Sequence, residues 1–471
     1  MNHHQGFKLS LLKSLLSGFS SDDEKLATID KLRSCVSRSN FEVKTIPLQD
    51  ITNWRFTSGS GILQHVSGRF FSIEGVRATT NFGTLSTWDQ PIINQSEIGI
   101  LGLLVRVNNG VCEFLLQAKI EPGNINGAQF SPTIQATKSN FQQVHGGRSP
   151  PYLDIFLNVN SENVVSDVLQ SEQGGRFYKK RNRNIIVYVD EFIEVRNDFV
   201  WLTLGKIKDL LTENNLVNMD TRSVISTIDY FLDLNGIQGD LTDTKFHKLT
   251  DNPFFSSGLY QSISVNSSSY INHLLTNFKF NTDLFVEKVS LADLKDWWFN
   301  NGVISRQDNR FFKIIGVDVC IENREVENWQ QPMVQPVDIG VIAVIVVEFN
   351  GVAHLLVQAK LEIGNFDTFE FGPTVQVVPS YSDEDNNIPF LNDVLNASAD
   401  NVLFDSILSE EGGRFYQEEN RYMIIRGSNL EMNNIDGPFI WITLHQLISD
   451  SHYNNRLNIQ LRSLISAFFP I

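Results

Sequence analysis

Residues 117–140 read QAKIEPGNINGAQFSPTIQATKSN, and residues 358–378 read QAKLEIGNFDTFEFGPTVQVV. Both stretches are rich in turn-forming and hydrogen-bonding residues, and each follows an apolar run that is typical of a core strand. The shared Gln-Ala-Lys begins at Gln117 and again at Gln358, an offset of 358 − 117 = 241. The near identity of the two stretches indicates an internal duplication.

Other blocks repeat in the same order. They are Trp88–Pro91 with Trp329–Pro332 and Phe70–Val76 with Phe311–Val317, both offset by 241; Ser171–Tyr178 with Ser409–Tyr416, offset by 238; and Trp201–Leu204 with Trp441–Leu444 and Arg222–Ser223 with Arg462–Ser463, both offset by 240. So long a period indicates two copies of one domain rather than a solenoid. We predict an N-terminal helical segment (1–40), a first repeat (41–236), a linker (237–283) and a second repeat (284–471).

The pattern within each copy predicts an α+β, or mixed α/β, fold. Asn-Gly separates the apolar runs Gly99–Val107 and Val111–Lys119, and again Gly340–Phe349 and Val352–Lys360. This dipeptide between β-branched runs is a strong signal for a hairpin.

Helices are expected at several places in each copy. The first predicted helix is 48–54 in copy one and 291–297 in copy two. The second is 161–172 and 397–411, each followed by a Gly-Gly pair, and the third is 205–211 and 445–449. Glycine pairs suit helix C-termini, which favours helices at 161–172 and 397–411.

Composition excludes several classes of protein. The net charge of −16 disfavours a nucleic-acid partner, because phosphate repels an acidic surface. The odd number of widely spaced cysteines, 3 in all, favours a reducing compartment such as the cytoplasm. The apolar run 341–347 is too short to span a bilayer, so no membrane partner is expected. Residues 7–19 could form an amphipathic helix, for which packing on a domain or a partner subunit is favoured over a membrane surface.

The polar loop after the first hairpin contains the candidate site. Its hydrogen-bonding residues include Gln117, Lys119, Glu121, Asn124, Gln129, Thr133, Gln135, Thr137, Ser139, Asn140, His145, Arg148 and Tyr152. Thr133, Gln135 and Thr137 alternate, so they would share one strand face, either as a pocket wall or as the solvated face of an edge strand. The loop has no Walker or dinucleotide motif, and its one histidine gives no metal spacing, so neither a metal nor a cofactor is expected.

The stretch Glu121–Phe156, together with Ser171–Tyr178 and Trp201–Leu204, resembles the signature of the NDP-hexose 2,3-dehydratases of deoxysugar biosynthesis. The resemblance covers nearly the whole chain, including the duplication. It implies tandem Nudix-like domains, a homodimer, and a dTDP-linked 4-keto-6-deoxyhexose substrate that loses its C2 hydroxyl without nicotinamide or metal. Neither half contains the Nudix hydrolase signature.

A C4 ketone acidifies the C3–H, so the reaction needs a base, an acid for the departing C2 hydroxyl, and donors that face the C4 oxygen. We expect His145 or Glu121 as the base, Tyr152 as the acid and Lys119 near the developing negative charge. Structural roles for Lys119 and Glu121 stay open, because both recur in the second half.

Arg176 and Tyr178 are candidates for binding the pyrophosphate, and their recurrence as Arg414 and Tyr416 leaves a fold-supporting role open. Trp54 and Trp88 could stack on a base or sugar, although both also suit the core.

The halves differ between residues 139 and 152. His145 has no counterpart in the second half, and Tyr152 becomes Phe390. These differences indicate that the first repeat is catalytic and the second degenerate. The rival hypotheses are a metal-dependent nucleotide-sugar hydrolase on the same fold and a non-catalytic sugar-nucleotide-binding protein.

Overall fold

The computed structural model describes residues 3–59, 61–141, 149–229, 252–259, 264–322, 326–379, 388–427, 435 and 437–468. Within these residues, each repeat contains one large mixed sheet, one smaller sheet and several short helices. The mixed α/β class and the tandem duplication are therefore confirmed.

The strands of the first repeat are β1 (Phe41–Ile46), β2 (Trp54–Phe56), β3 (Leu63–His65), β4 (Ser72–Thr80), β5 (Thr87–Asn94), β6 (Gly99–Asn108), β7 (Val111–Ile120), β8 (Ala128–Ser131), β9 (Ile134–Ala136), β10 (Val164–Ser171), β11 (Phe177–Tyr178), β12 (Arg181–Tyr188) and β13 (Phe199–Leu202). Those of the second are β14 (Leu284–Val289), β15 (Trp297–Asn300), β16 (Val303–Arg306), β17 (Phe312–Ile321), β18 (Asn328–Pro336), β19 (Gly340–Phe349), β20 (Val352–Leu361), β21 (Phe369–Gly372), β22 (Val375–Val377), β23 (Val402–Ser409), β24 (Glu419–Arg426) and β25 (Phe439–Thr443).

The α-helices are His3–Leu15, Asp22–Ser37, Lys138–Phe141, Leu153–Leu157, Leu204–Leu211, Met219–Ile225, Pro253–Leu259, Ser268–Asn281, Leu391–Leu395, Leu444–Ser451 and Ile459–Ala467. The last two described helices of each repeat begin at Thr or Asn caps whose side chains accept a backbone N–H. No helix among the described residues is long and apolar enough to cross a membrane.

The large sheet of the first repeat has the order β10-β12-β6-β7-β13, with β8 on β7 and β9 on β6. The second repeat reproduces this order as β23-β24-β19-β20-β25 with β21 and β22. Both Asn-Gly hairpins form as predicted, with Asn109 and Asn350 in the left-handed region. In each repeat the polar loop follows the second hairpin strand, at the end of that strand away from the Asn-Gly turn.

The smaller sheets exchange strands between the repeats. Strand β1 of the first repeat pairs antiparallel with β17 of the second, and β14 of the second pairs with β4 of the first. Gly316 and Gly75 allow this crossing, because a Cβ at either position would lie 2.6 Å from a carbonyl oxygen of the incoming strand or its end. The repeats are therefore interlocked.

Two of the predicted helices in each repeat are wrong. Residues 164–171 and 402–409 form strands β10 and β23, which pair with β12 and β24, because β-branched Val164, Val165 and Val168 favour a sheet with a partner at hand. Residues 48–50 make only a 3₁₀ turn before β2 begins at Trp54, and 291–293 do the same before β15. The helices predicted at 205–211 and 445–449 are confirmed.

Helix His3–Leu15 confirms that the N-terminal segment packs on a domain. Leu9, Leu11, Leu12 and Leu15 are buried in the core cluster that contains the first large sheet. Residues 237–283 include helices Pro253–Leu259 and Ser268–Asn281, which contact β20 and β21 respectively. The boundaries proposed for the linker stay a prediction.

Candidate functional site

A cavity of about 580 Å³ lies where the polar loop of the first repeat meets the second repeat. Its volume falls within the range of small-ligand sites, which is roughly 300–1,000 Å³. The first repeat supplies residues from the ends of β7 and β9, and the second supplies residues from β18 and from the loop before β24. Neither repeat alone encloses this space.

The structure brings part of the predicted site together. The predicted residues that line the cavity are Lys119, Glu121, Gln135, Thr137, Ser139, Asn140 and Trp54. The indole Nε1 of Trp54 donates to the carbonyl oxygen of Gln330, 2.9 Å away, so this ring is fixed by the opposite repeat. The ring also lies 4.8 Å from that of Phe71, measured between centroids.

Lys119, Glu121 and Gln135 form a connected group on the cavity wall. The Lys119 ammonium donates to the carbonyl oxygen of Gln135 at 3.1 Å and lies 3.7 Å from Oε1 of Glu121. The Gln135 amide donates to the same Oε1 at 2.9 Å, and Asn218 donates to the Gln135 side-chain oxygen. Glu121 is 4% exposed, and its Oε2 has no hydrogen-bond partner in the described structure. That oxygen can accept a proton from a ligand.

Four other predicted residues do not line the cavity. Thr133 is buried in the sheet, where its hydroxyl donates to the Leu115 carbonyl and accepts from the Leu104 amide. Gln117 donates to Asp198, and the amide of Asn124 donates to Gly127. Gln129 accepts from Ser409 of the second repeat. The predicted common strand face of Thr133, Gln135 and Thr137 does not form, because β9 covers only Ile134–Ala136. Gln135 and Thr137 line the cavity, whereas the sheet buries the hydroxyl of Thr133.

The structure also places Tyr152 outside the cavity wall. Its hydroxyl donates to the Glu194 carbonyl at 2.8 Å, and its ring meets Phe199 edge-on at 5.0 Å between centroids. Phe390 makes the same ring contact with Phe439, so the ring position belongs to the fold. The role of Tyr152 as the acid stays a prediction, which this placement does not favour. His145 and Arg148 lie outside the described residues.

Arg176, Tyr178 and Trp88 likewise do not line this cavity. Arg176 stacks on Phe312 of the second repeat, with its guanidinium carbon 4.2 Å from the ring centroid. The positions in the cavity wall are filled by their second-repeat relatives Arg414 and Trp329. Because the repeats are interlocked, the polar loop of the first repeat lies beside Arg414 of the second repeat rather than beside Arg176 of its own.

Reciprocal backbone contacts hold the two loops together. The Gly123 amide donates to the Gly412 carbonyl at 2.8 Å, and the Gln417 amide donates back to the Gly123 carbonyl at 2.8 Å. A Cβ on Gly123 would lie 1.7 Å from the Phe415 carbonyl oxygen, so no side chain fits. The Gly-Gly pair Gly412–Gly413 therefore serves this close approach rather than the helix C-terminus predicted for it.

Several cavity residues have no signal in the polar loop. They are His65 on β3, Asn182 on β12, Asp220 on helix Met219–Ile225 and Glu411 before β24. The His65 ring lies 4.9 Å from that of Phe70 and 5.7 Å from that of Trp54. His65, Asp220 and Glu411 could have been found by comparing the two repeats position by position, because each differs from its equivalent in the other repeat.

The hydrogen-bonded frame of the first-repeat cavity has a counterpart in the second repeat, which differs in its ionisable groups. Gln376 donates to Glu362 and accepts from Asn458, as Gln135 does with Glu121 and Asn218. By the repeat offsets, three first-cavity residues have a different side chain in the counterpart. These pairs are His65 and Arg306 (306 − 65 = 241), Asp220 and Gln460 (460 − 220 = 240), and Glu411 and Gln173 (411 − 173 = 238).

Burial dominates the electrostatics of the first cavity. It raises the pKa of Glu411 to about 6; Arg414 opposes this rise, and Glu121 adds to it. Burial also raises the pKa of Asp220 well above its usual range, and the neighbouring carboxylates of Glu172 and Glu411 reinforce the rise. Burial thus raises the pKa of both carboxyl groups above its ordinary value and favours their protonated forms.

Arg414 is held in place by Glu411. The Glu411 carboxylate accepts from the backbone N–H groups of Gly413 and Arg414, both at 2.9 Å, and lies 3.3 Å from the Arg414 guanidinium. The Arg414 Nε makes this ion pair without the geometry of a hydrogen bond, and it has no hydrogen-bond partner within the part of the chain that the structure describes. A guanidinium in this position can bind an anionic ligand group.

Glu418, which corresponds to Lys180 of the first repeat (418 − 180 = 238), supports a prediction on stability. Burial raises its pKa from 4.5 to about 7, Arg176 opposes the rise and Glu410 adds to it. A carboxyl group whose pKa is higher in the folded state than in the unfolded state stabilises the fold fully when the pH is below the unfolded-state pKa. This stabilisation is lost as the pH rises through the folded-state pKa.

We therefore expect Glu418→Gln to unfold at the same denaturant concentration as wild type near pH 4.5 and to be more stable by about 3 kcal/mol near pH 8. Urea unfolding followed by tryptophan fluorescence across this range measures the difference. A stability difference independent of pH would contradict the prediction.

Among the described residues, no group of three or more His, Cys, Asp or Glu side chains is arranged to hold a metal ion. The polar atoms of the cavity that could meet a ligand are instead spread over carboxyl, ammonium, guanidinium and amide groups.

Comparison with known proteins identifies the family. The model of the NDP-hexose 2,3-dehydratase family matches residues 27–228 and again 268–468. A dTDP-4-dehydro-6-deoxy-α-D-glucopyranose 2,3-dehydratase of Saccharopolyspora spinosa is 42% identical over 93% of this chain and 89% of its own. Enzymes of the same name are 37% identical in Amycolatopsis orientalis (96% and 92% covered) and 39% identical in Streptomyces violaceoruber (90% and 93% covered).

A solved hydrolase of ADP compounds aligns with 30% of this chain and 76% of its own, at 16% identity and a TM-score of 0.19, which is too low to bear on the fold. The family model, by contrast, covers both repeats, and the relatives extend along nearly the whole chain. The chain therefore belongs to the NDP-hexose 2,3-dehydratase family.

Proposed function

We propose that this protein removes the C2 hydroxyl of dTDP-4-keto-6-deoxy-D-glucose and yields the 3,4-diketo-2,6-dideoxy sugar in deoxysugar biosynthesis. The observation that carries the proposal is the composite cavity, which combines Lys119 and Glu121 of one repeat with Arg414 of the other. The names of the relatives supply the substrate class.

The reaction follows from the substrate. A base removes the C3 proton, and the C4 ketone takes up the electron pair as an enolate. The C3 carbanion character then expels the C2 hydroxyl, which leaves as water when an acid protonates it. The resulting enol at C3 tautomerises to a ketone. Oxidation at C3 balances reduction at C2, so the step needs no external oxidant.

We assign the base to Glu121, since its Oε2 is buried and has no hydrogen-bond partner in the described structure. Lys119, which contacts the same carboxylate, would stabilise the enolate oxygen at C4 by its positive charge. Arg414 is suited to the diphosphate, because guanidinium binds phosphate oxygens in pairs. His145 is the second candidate for the base, and Arg148 a second candidate for the diphosphate.

The test is incubation with dTDP-4-keto-6-deoxyglucose in D₂O, with and without EDTA, followed by NMR of the C2 and C3 positions. We expect loss of the C3–H signal and a deuterium-bearing methylene at C2, at equal rates with and without the chelator. A nucleotide-sugar hydrolase would instead release dTMP and stop when the divalent cation is removed. A non-catalytic binding protein would leave the sugar unchanged.

We also propose that the enzyme works in the cytoplasm as a homodimer. The free cysteines Cys35, Cys112 and Cys320 are compatible with a reducing compartment. The dimer is an expectation from the family resemblance. Light scattering coupled to size-exclusion chromatography would give twice the 53.4 kDa chain mass if it is correct.

A further inference from the structure

Asp220 occupies an unusual position for a carboxyl group. It lies in the first turn of helix Met219–Ile225, is 3% exposed and borders the cavity. Its Oδ1 is buried and has no hydrogen-bond partner among the described residues. Buried polar atoms are nearly always paired, so an unpaired carboxyl oxygen beside a cavity points to a ligand group as its partner.

The charges around Asp220 favour its protonated form. The carboxyl groups of Glu172, Glu411 and Glu121 act on it from the surrounding elements, and Lys119 is the opposing cation. A helix N-terminus favours the ionised form of a carboxyl group. Burial and the like charges exceed this effect and raise the pKa of Asp220 well above its usual range. Burial and the neighbouring carboxyl groups therefore favour the protonated form of Asp220.

The fold does not require an acid at this position. In the second repeat, Gln460 occupies the same turn of helix Ile459–Ala467, and both helices begin at an Asn cap that accepts a backbone N–H. Gln460 is also buried, at 5% exposure, and its Oε1 likewise has no hydrogen-bond partner among the described residues, so the acidic group rather than the unpaired oxygen distinguishes the first repeat. The architecture therefore accepts a neutral amide here, and only the first-repeat cavity has the acid.

We propose that Asp220 is the catalytic acid of the elimination and gives its proton to the C2 hydroxyl as the C2–O bond breaks. This assignment rests on the proposed function. The electron pair from the C3–H bond forms the C2–C3 double bond, the C2–O pair stays on oxygen, and the proton of Asp220 completes the departing water. Asp220 is left as a carboxylate and regains its proton from solvent before the next turnover.

One NMR experiment measures both exchange of the C3 proton and loss of the C2 hydroxyl, and Asp220 is expected to act only in the second step. In D₂O, the base and the enolate-stabilising groups exchange the C3 proton for deuterium, whereas the acid is needed only for loss of the hydroxyl. Asp220→Asn keeps the size of the side chain and removes the acidic proton. We expect elimination to slow on the order of 10²–10⁴-fold while C3 deuterium exchange continues. The matched control Gln460→Asn should leave both rates near those of wild type.

Asp220→Glu supplies a second variant, and binding of dTDP with a native-like melting transition shows that each variant is folded. Partial recovery of elimination in Asp220→Glu, relative to Asp220→Asn, supports the assignment. Wild-type elimination in Asp220→Asn would overturn it, and so would parallel loss of exchange and elimination in a folded variant. Since wild type is assayed alongside, failure of wild type to eliminate would count against the proposed function instead.

Discussion

Replacing Arg414 by Ala should lower kcat/KM on the order of 10²–10³-fold, whereas Arg176→Ala should leave turnover close to wild type. Arg414 belongs to the second repeat but borders the first-repeat cavity, and Arg176 is its equivalent on Phe312. Loss of one preorganised donor to a developing or bound negative charge has this typical size. Initial rates with dTDP-4-keto-6-deoxyglucose measure it.

Arg176→Ala also serves as the structural control, because each arginine follows the same Gly-Gly pair and stacks on an aromatic ring across the repeat boundary. Arg414→Lys, which keeps the charge and loses the paired geometry, should fall between wild type and Arg414→Ala. Equal losses in Arg414→Ala and Arg176→Ala would show that the arginines support the fold rather than the site.

The second large effect is expected at Glu121. Glu121→Gln keeps the hydrogen-bond frame with Gln135 but removes the basic oxygen, so we expect C3 deuterium exchange and elimination to fall together, on the order of 10²–10⁴-fold. This joint loss distinguishes the base from the acid at Asp220. NMR of the C3 position in D₂O records both rates.

Glu362→Gln is the matched control, since Glu362 has the same frame with Gln376 in the second repeat. Its turnover should match wild type. If Glu121→Gln retains exchange while His145→Ala or Glu411→Gln loses it, the base belongs to that residue and the assignment to Glu121 is wrong.

The sequence predicted the parts of this structure that depend on local pattern. The duplication, the Asn-Gly hairpins and the helices after Trp201 and Trp441 follow from repeated text, turn chemistry and apolar spacing. The cavity residues at the end of β7 and in β9, from Lys119 to Gln135, follow from the polar loop that continues a buried strand.

The rest of the structure depends on which strands pair with each other, and the local sequence pattern of a strand does not specify its pairing partner. A strand such as Phe41–Ile46 alternates in the same way whether it pairs with its own repeat or with β17 of the other. That exchange decides that Arg414, not Arg176, enters the first cavity. It also explains why Glu411, 271 residues beyond the loop (411 − 140 = 271), was not predicted. Asp220, 80 residues beyond it (220 − 140 = 80), reaches the cavity from a helix that only the tertiary fold brings there.

The account is tested most directly by a crystal structure of the Asp220→Asn variant with dTDP-4-keto-6-deoxyglucose bound. We expect the hexose between Glu121 and residue 220, with its C4 oxygen toward Lys119 and the diphosphate within reach of Arg414. A first-repeat cavity that contains no sugar, with the hexose bound elsewhere, would contradict the central claim that the two repeats build one active site in this cavity.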